Sequence, residues 1–166
     1  MSKKKKTPRP ASEDSNSRSI ARNRRAGFDY EILKRYEAGL ALTGTEIKSL
    51  REGKASIAEA YVRPLNGELW LIGANISRYE AAGRDSHDPT RERKLLVHRR
   101  EIREVAAAVD ERGLTLVPIH LFLRRGLAKL EFGLGRGRRQ YDKRQAIARR
   151  EAERKMREGM RRYERR

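Results

Sequence analysis

Histidines are the side chains best suited to move a proton at neutral pH or to hold a transition metal. This chain has three, His87, His98 and His120. Their spacing serves neither purpose. No pair stands at a ligand-like separation, and with no cysteine there is neither a zinc–thiolate set nor a disulfide. His98 and His120 fall in strand-like stretches and His87 precedes Asp88-Pro89 in a turn, so all three read as surface or edge positions. The carboxylates are scattered, mostly beside Lys or Arg, and Glu46 and Glu101 read as caps or ion-pair partners. No phosphate loop, G-x-S-x-G or H-E-x-x-H occurs. Gly133-Leu134-Gly135-Arg136-Gly137 lacks the third spaced glycine of a dinucleotide fingerprint. These residues point to no catalytic group, no metal and no cofactor.

The chemistry that the residue types do support is phosphate binding. Arg22, Arg24 and Arg25 form one basic cluster. Lys48, Arg51 and Lys54 form a second, and Arg91, Arg93, Lys94, Arg99 and Arg100 a third. Arg forks match phosphate oxygens, and Tyr or His rings can stack on unpaired bases. The net charge is +18: +4 in residues 1–20, +5 in 21–135 and +9 in 136–166. A pI near 10.9 favours a polyanion, because each Lys or Arg that meets a phosphate releases condensed counterions. No run of 18 apolar residues exists and no apolar stretch follows the basic start, so a membrane is not expected and the cytoplasm is. Trp70, between Leu69 and Leu71, reads as a core residue.

These clusters need elements to hold them. Residues 1–20 show no apolar periodicity and read as a disordered basic extension. Alternation at Phe28, Tyr30 and Ile32 shifts phase and resumes at Tyr36, Ala38, Leu40 and Leu42. That predicts one long bulged strand or two short ones, with a helix through Ile32, Leu33 and Tyr36 as the competing reading. Thr43-Gly44-Thr45-Glu46 fits a capping box opening a short helix that stops at Gly53. Asn66-Gly67 between Ala60–Leu65 and Leu69–Ile76 predicts a hairpin. Residues 79–90 are turn-rich. Lys94–His98 suggests a strand, and Ile102, Val105, Ala106 and Val109 a helix ending at Gly113. Leu114–Leu123 and Leu127–Leu134 predict two strands joined by Arg124-Arg125-Gly126, with Pro118 at an edge or bulge. The expected fold is therefore mainly β: five to seven strands over 21–135, two or three short helices, and antiparallel barrel closure to hide the edges.

Five segments, in one order over roughly residues 22 to 145, resemble the SmpB family, the bacterial small protein B that binds transfer-messenger RNA in trans-translation. They are Asn23-Arg24-Arg25-Ala26 with Tyr30; the run from Ala38 to Ala55 that includes Gly44-Thr45-Glu46-Ile47-Lys48; Gly73-Ala74-Asn75-Ile76; Asp88-Pro89-Thr90-Arg91-Glu92-Arg93-Lys94; and Gln140-Tyr141-Asp142-Lys143-Arg144. Five in register are specific where one would be weak. The resemblance implies an oligonucleotide-binding-type β-barrel, no enzymatic activity, and binding to the tRNA-like domain of transfer-messenger RNA. It implies delivery of that RNA to ribosomes stalled without an A-site codon. It also implies contact with small-subunit ribosomal RNA at the decoding centre and mRNA channel, with elongation factor Tu and alanyl-tRNA synthetase joining through the RNA complex.

Residue by residue, the resemblance implies phosphate contacts for Arg24, Arg25, Lys48 and Arg51, and the basic clusters add Lys54, Arg91, Arg93 and Lys94 as expected RNA contacts. Glu46 matches a family RNA-contact position, where a carboxylate can accept from a base edge or a 2′-OH; the capping box is its other open role. Asn23 and Asn75 either order loops or touch RNA. Arg136, Arg138, Arg139, Tyr141, Asp142, Lys143 and Arg144 correspond to the ribosome-binding tail, Tyr141 offering a ring to a decoding-centre base. Arg138 and Arg139 stand where the family commonly has Lys. The stretch 79–87 and the tail beyond Gln145 match no pattern. Gly135–Arg139 reads as a flexible hinge and Asp142 as a helix N-cap with Gln145 at N3. Ala148, Ala152, Met156, Met160 and Tyr163 then form a stripe too thin to fold alone, so the tail is expected to be disordered when free and helical on the ribosome, with Met156 and Met160 among its contacts.

Overall fold

The computed structural model describes residues 16–163. The disorder expected for residues 1–15 lies outside the described residues. The body opens with β1 (Ser17–Arg22), α1 (Ala26–Asp29), β2 (Tyr30–Leu40) and α2 (Gly44–Arg51). There follow β3 (Ala55–Ser56), β4 (Tyr61–Leu65), β5 (Glu68–Ile72), β6 (Asn75–Ile76) and a 3₁₀ turn (Glu80–Asp85). It ends with β7 (Arg93–Leu96), α3 (Arg99–Arg112), β8 (Thr115–Arg124), β9 (Leu127–Gly137) and α4 (Gln140–Tyr163).

The sheet is antiparallel and closes on itself. Its order is β1-β8-β4-β5-β7-β2-β9, and β9 pairs back onto β8. Six strands thus make a ring, β1 lies outside it on β8, and β3 pairs with β6 separately. Closure removes the open edges that antiparallel strands otherwise expose. The interior is filled by Leu69, Leu71, Leu95, Leu116, Leu121, Leu130 and Phe132, and Tyr36 stacks on Phe132 with ring centroids 5.4 Å apart.

Local chemistry explains the elements. Asn66 and Gly67 both take positive φ (51° and 73°), as a two-residue hairpin turn requires. Arg125 and Gly126 do the same between β8 and β9. The phase shift in β2 is a bulge between Ile32 and Lys34, and Pro118 sits at a bulge in the β8–β9 pairing. Gly113 ends α3 in the left-handed conformation.

Five expectations need correcting. Ser17–Ile20 belong to β1 rather than to a disordered extension; a short, mostly exposed edge strand carries no apolar signal. Phe28 lies in α1, not in the long strand. Trp70 is not core. Strand alternation puts Leu69 and Leu71 inside and turns Trp70 outward, half-buried, opposite Arg63 and Lys94. Gly135–Gly137 is not a hinge: it continues β9 against Tyr30–Ile32, and Arg138 N–H donates to the Asp29 carbonyl at 2.9 Å. The helix then begins at Gln140, which places Asp142 at its third position rather than at the cap.

Gly135 shows why this strand end is glycine-rich. A Cβ there would lie 2.9 Å from the Glu31 backbone oxygen and 3.2 Å from Ile32 Cδ1. Backbone cannot rotate away as a side chain can, so Gly135→Ala should part β9 from β2. The expected cost is about 1–3 kcal/mol, read as a lower urea midpoint at unchanged slope. An unchanged midpoint would show that the two strands separate freely there.

Candidate nucleic-acid interface

The capping box that opens α2 is formed in full. Thr43 Oγ1 accepts from the Glu46 N–H, and Glu46 Oε2 accepts from the Thr43 N–H at 2.8 Å. The Glu46 carboxylate does more than cap. It is wholly buried, accepts from Arg91 Nη2 at 2.6 Å and Nε at 3.2 Å, and accepts from Arg93 Nε at 2.9 Å. Burial pushes its carboxyl up, but the Arg91 fork, the Thr43 N–H and Arg93 outweigh that and hold it below the ordinary carboxylate value.

Arg93 is likewise wholly buried. It donates from Nη1 to the Ala74 carbonyl and from Nη2 to the Pro89 carbonyl, both at 2.9 Å. Neither Glu46 nor Arg93 can touch RNA in this arrangement, so the direct contacts expected of them are corrected. The pair satisfies its charge internally and fixes the loop before β7 against α2 and β6. Among the described residues the buried polar or charged side chains are Glu46, Ser49, His87 and Arg93. All four lie at this one seam. Ser49 Oγ donates to the Ser77 carbonyl, and His87 bridges α2 and β6. A body this small concentrates its buried polarity where position has to be exact to within a hydrogen bond.

The seam leaves a cationic fringe. Lys48, Arg51, Lys54 and Asn75 are exposed around it, and Arg91 keeps 38% of its side chain in solvent while its fork holds Glu46. Lys48 Nζ sits 5.4 Å from the Tyr79 ring centroid, a cation–π contact that sets a half-buried tyrosine among the lysines. Lys54 is shared between Glu52 at 3.0 Å and Glu80 at 3.7 Å, and Lys94 pairs with Glu68, so both are less free than their neighbours.

A second basic group surrounds α1. Asn23 orders its loop: Nδ2 donates to the Pro118 carbonyl at 3.2 Å and Oδ1 accepts from the Arg25 N–H at 3.1 Å. Arg24 and Arg25 are exposed, Arg25 near Asp29 at 3.5 Å. The tail leaves beside them. Exposed Arg136 and Arg139 flank half-buried Arg138, and the Arg150 guanidinium lies 6.0 Å from the Phe28 ring of α1. Along α4, Arg144 is exposed and Ile147, Met156 and Met160 are 42%, 67% and 63% exposed. The side chains of Tyr141, Asp142, Lys143 and Tyr163 lie outside the described residues.

The predicted site residues thus split into an α2 group and an α1–tail group. Sequence reasoning missed Thr45, Ser49, Tyr79 and His87. The Tyr after Asn75-Ile76 in a turn-rich stretch was the one available hint, since an aromatic ring in a polar loop needs a partner. No group of three His, Asp or Glu able to hold a metal occurs among the described residues, nor does a helix long and apolar enough to cross a membrane.

The family model described as SmpB protein matches residues 20–162. The SsrA-binding protein of Dehalococcoides mccartyi is 50% identical over 138 residues, covering 83% of this chain and 80% of that protein. That of Roseiflexus castenholzii is 54% identical over 138 residues, 82% of this chain and 87% of the relative. A solved structure described as "tmRNA-SmpB: a journey to the center of the bacterial ribosome" is similar at 46% identity and a TM-score of 0.61, over 76% of this chain and 92% of that one. With the family match running from β1 into α4 and taking in the capping-box helix, the chain belongs to the SmpB protein family.

Proposed function

We propose that the chain is an RNA-binding adaptor of trans-translation. It binds the tRNA-like domain of transfer-messenger RNA and brings it to ribosomes stalled without an A-site codon, acting by binding alone in the cytoplasm. The observation that carries this reading is the α2 seam. Its buried Glu46–Arg93 pair holds Arg91 at the seam, and Lys48, Arg51 and Asn75 stand exposed on the α2 and β6 that the seam joins, a preset cationic surface in a chain whose relatives are named SsrA-binding proteins. A fixed surface suits a folded RNA, which is recognised by shape, 2′-OH and phosphate positions.

The α1–tail group is the second surface. Arg24, Arg25, Arg136, Arg138 and Arg139 would meet ribosomal RNA near the decoding centre, with Tyr141 as the stacking ring. Asp142, Lys143, Arg144 and the rest of α4, including Met156 and Met160, would follow the empty mRNA channel. Elongation factor Tu and alanyl-tRNA synthetase would join through the RNA.

The test is affinity for a transcribed tRNA-like domain against an unstructured oligonucleotide of equal length, across a salt series. The expected result is a clear preference for the folded RNA. Log affinity should fall linearly with log salt, with a slope of about −0.9 per duplex phosphate neutralised and about −0.7 per single-strand phosphate. Equal affinity for the two RNAs would instead mark a general single-strand binder.

A further inference from the structure

His87 has no RNA contact assigned above, yet it is 8% exposed and both ring nitrogens are engaged. Nε2 lies 2.9 Å from the Ile76 carbonyl oxygen in β6. Nδ1 lies 2.9 Å from Thr45 Oγ1 in the first turn of α2. A carbonyl can only accept, so Nε2 carries a proton. In the neutral ring Nδ1 is then a lone pair, and Thr45 must spend its one hydroxyl proton on it. Thr45 Oγ1 is left to accept from the Thr43 hydroxyl, 3.3 Å away, whose oxygen itself accepts from the Glu46 N–H. The outcome is a one-way hydrogen-bond chain. It runs from the N-cap of α2 through Thr45 and His87 into β6.

This chain complements the charged pin. Glu46 ties α2 to Arg91 and Arg93, and Arg93 reaches the carbonyls of Ala74 and Pro89. Thr45 and His87 tie the same turn of α2 to Ile76, whose own N–H donates to the Pro89 carbonyl at 3.0 Å. Removing either link leaves every surface charge in place but frees β6 and the residue 88–92 turn to shift against α2.

We infer that His87, acting with Thr45, is a positioning residue for RNA binding: the chain it completes presets Asn75 and Arg91 against Lys48 and Arg51. The inference rests on the RNA-binding reading proposed above. A preset surface loses less freedom on binding than a loosened one, which the RNA must order. The cost therefore falls on recognition of a folded RNA and not on attraction to any polyanion.

The full chain should be compared as wild type, Thr45→Val, Thr45→Ser, His87→Ala and the Thr45→Val/His87→Ala double variant. Binding to a transcribed tRNA-like domain and to an unstructured oligonucleotide is measured at a temperature where circular dichroism shows each variant folded. Thr45→Val and His87→Ala should weaken the folded RNA about tenfold, the scale of a buried hydrogen bond with its lost neighbour, and leave the oligonucleotide unchanged. Thr45→Ser should restore binding. The double variant should be no worse than His87→Ala, since both cut one chain. Nitrogen NMR of the wild type should show the His87 proton on Nε2. Wild-type affinity in both single variants, equal losses on both RNAs, additive losses, or a proton on Nδ1 alone would each overturn the inference. If His87→Ala does not fold, Thr45→Val and its Ser rescue decide it. If the wild type itself shows no preference for the folded RNA, the RNA-binding reading fails, and the tautomer still tests the chain.

Discussion

Arg93→Met will destabilise the body by about 3–5 kcal/mol, because it leaves the buried Glu46 carboxylate without its most deeply buried partner. The loss is large for two reasons. Both side chains are wholly inside, so water cannot replace the missing charge. Arg93 also satisfies the Ala74 and Pro89 carbonyls, which would be stranded with it. Urea denaturation reads the effect, and Glu46→Leu combined with Arg93→Met should recover part of it by removing a buried carboxylate that has only Arg91 left to neutralise it. The pH dependence follows the same pair. Glu46 titrates below its ordinary value of 4.5 in the folded state. Its stabilisation is therefore complete above that value and is lost as pH falls through the lowered one. In Arg93→Met the burial that pushes the carboxyl up meets less opposition, so acid sensitivity should begin at higher pH. An unchanged acid limb together with unchanged stability would mean that water reaches the seam.

Cutting the chain after Arg139 will abolish tagging of polypeptides on stalled ribosomes while leaving the body folded and its affinity for the tRNA-like domain largely intact. The cut is placed there because β9 runs to Gly137 and the Arg138 N–H still holds Asp29. A cut at Arg136 would also fray the ring. The motivating observation is the division of labour in charge and contact: residues 136–166 carry +9, while the α2 seam lies on the body. Removal should lower the salt slope on non-specific RNA more than it lowers affinity for the folded RNA. A matched loss of RNA binding and tagging would sink the two-surface reading. So would tagging that survives the cut. The free state of the tail is a separate matter: we propose that α4 is only marginally helical without RNA. Ile147, Met156 and Met160 stand in solvent, and Gly159 sits in its last turns. Circular dichroism of the isolated segment reads this directly, and full helicity would contradict it.

How much was legible depends on the reach of the interaction concerned. Asn66-Gly67, the Thr43–Glu46 box and Gly113 are local signals, each set within four residues, and each is realised as expected. The bulge in β2 was legible because a bulge shifts hydrophobic phase by one residue, which the sequence records. Burial of Glu46 and Arg93 was not. These residues are 47 apart and mutually neutralising, and alone each looks like a surface charge. Trp70 misled for a related reason: hydrophobicity named the strand correctly, but only the period of two says which face a residue takes. β1 escaped notice because its partner, β8, lies about a hundred residues away in the chain and its own residues are mostly solvated. The basic clusters were visible as composition. Their division into an α2 group and an α1–tail group came only with the fold.

The closed ring has a consequence for how the molecule is made. β9 seals it by pairing with both β2 and β8, and all its partners are synthesised earlier. Until Leu127–Gly137 leaves the ribosome, β2 and β8 each present an unpaired edge, the kind of surface on which nascent chains stick to one another. The pairing that ends this exposure joins residues near 35 to residues near 133, a slow closure by the measure of sequence separation. A chain released short of β9 would be an open sheet rather than a weaker version of the whole. Translation through β9 is thus a condition for this protein to have a closed body at all.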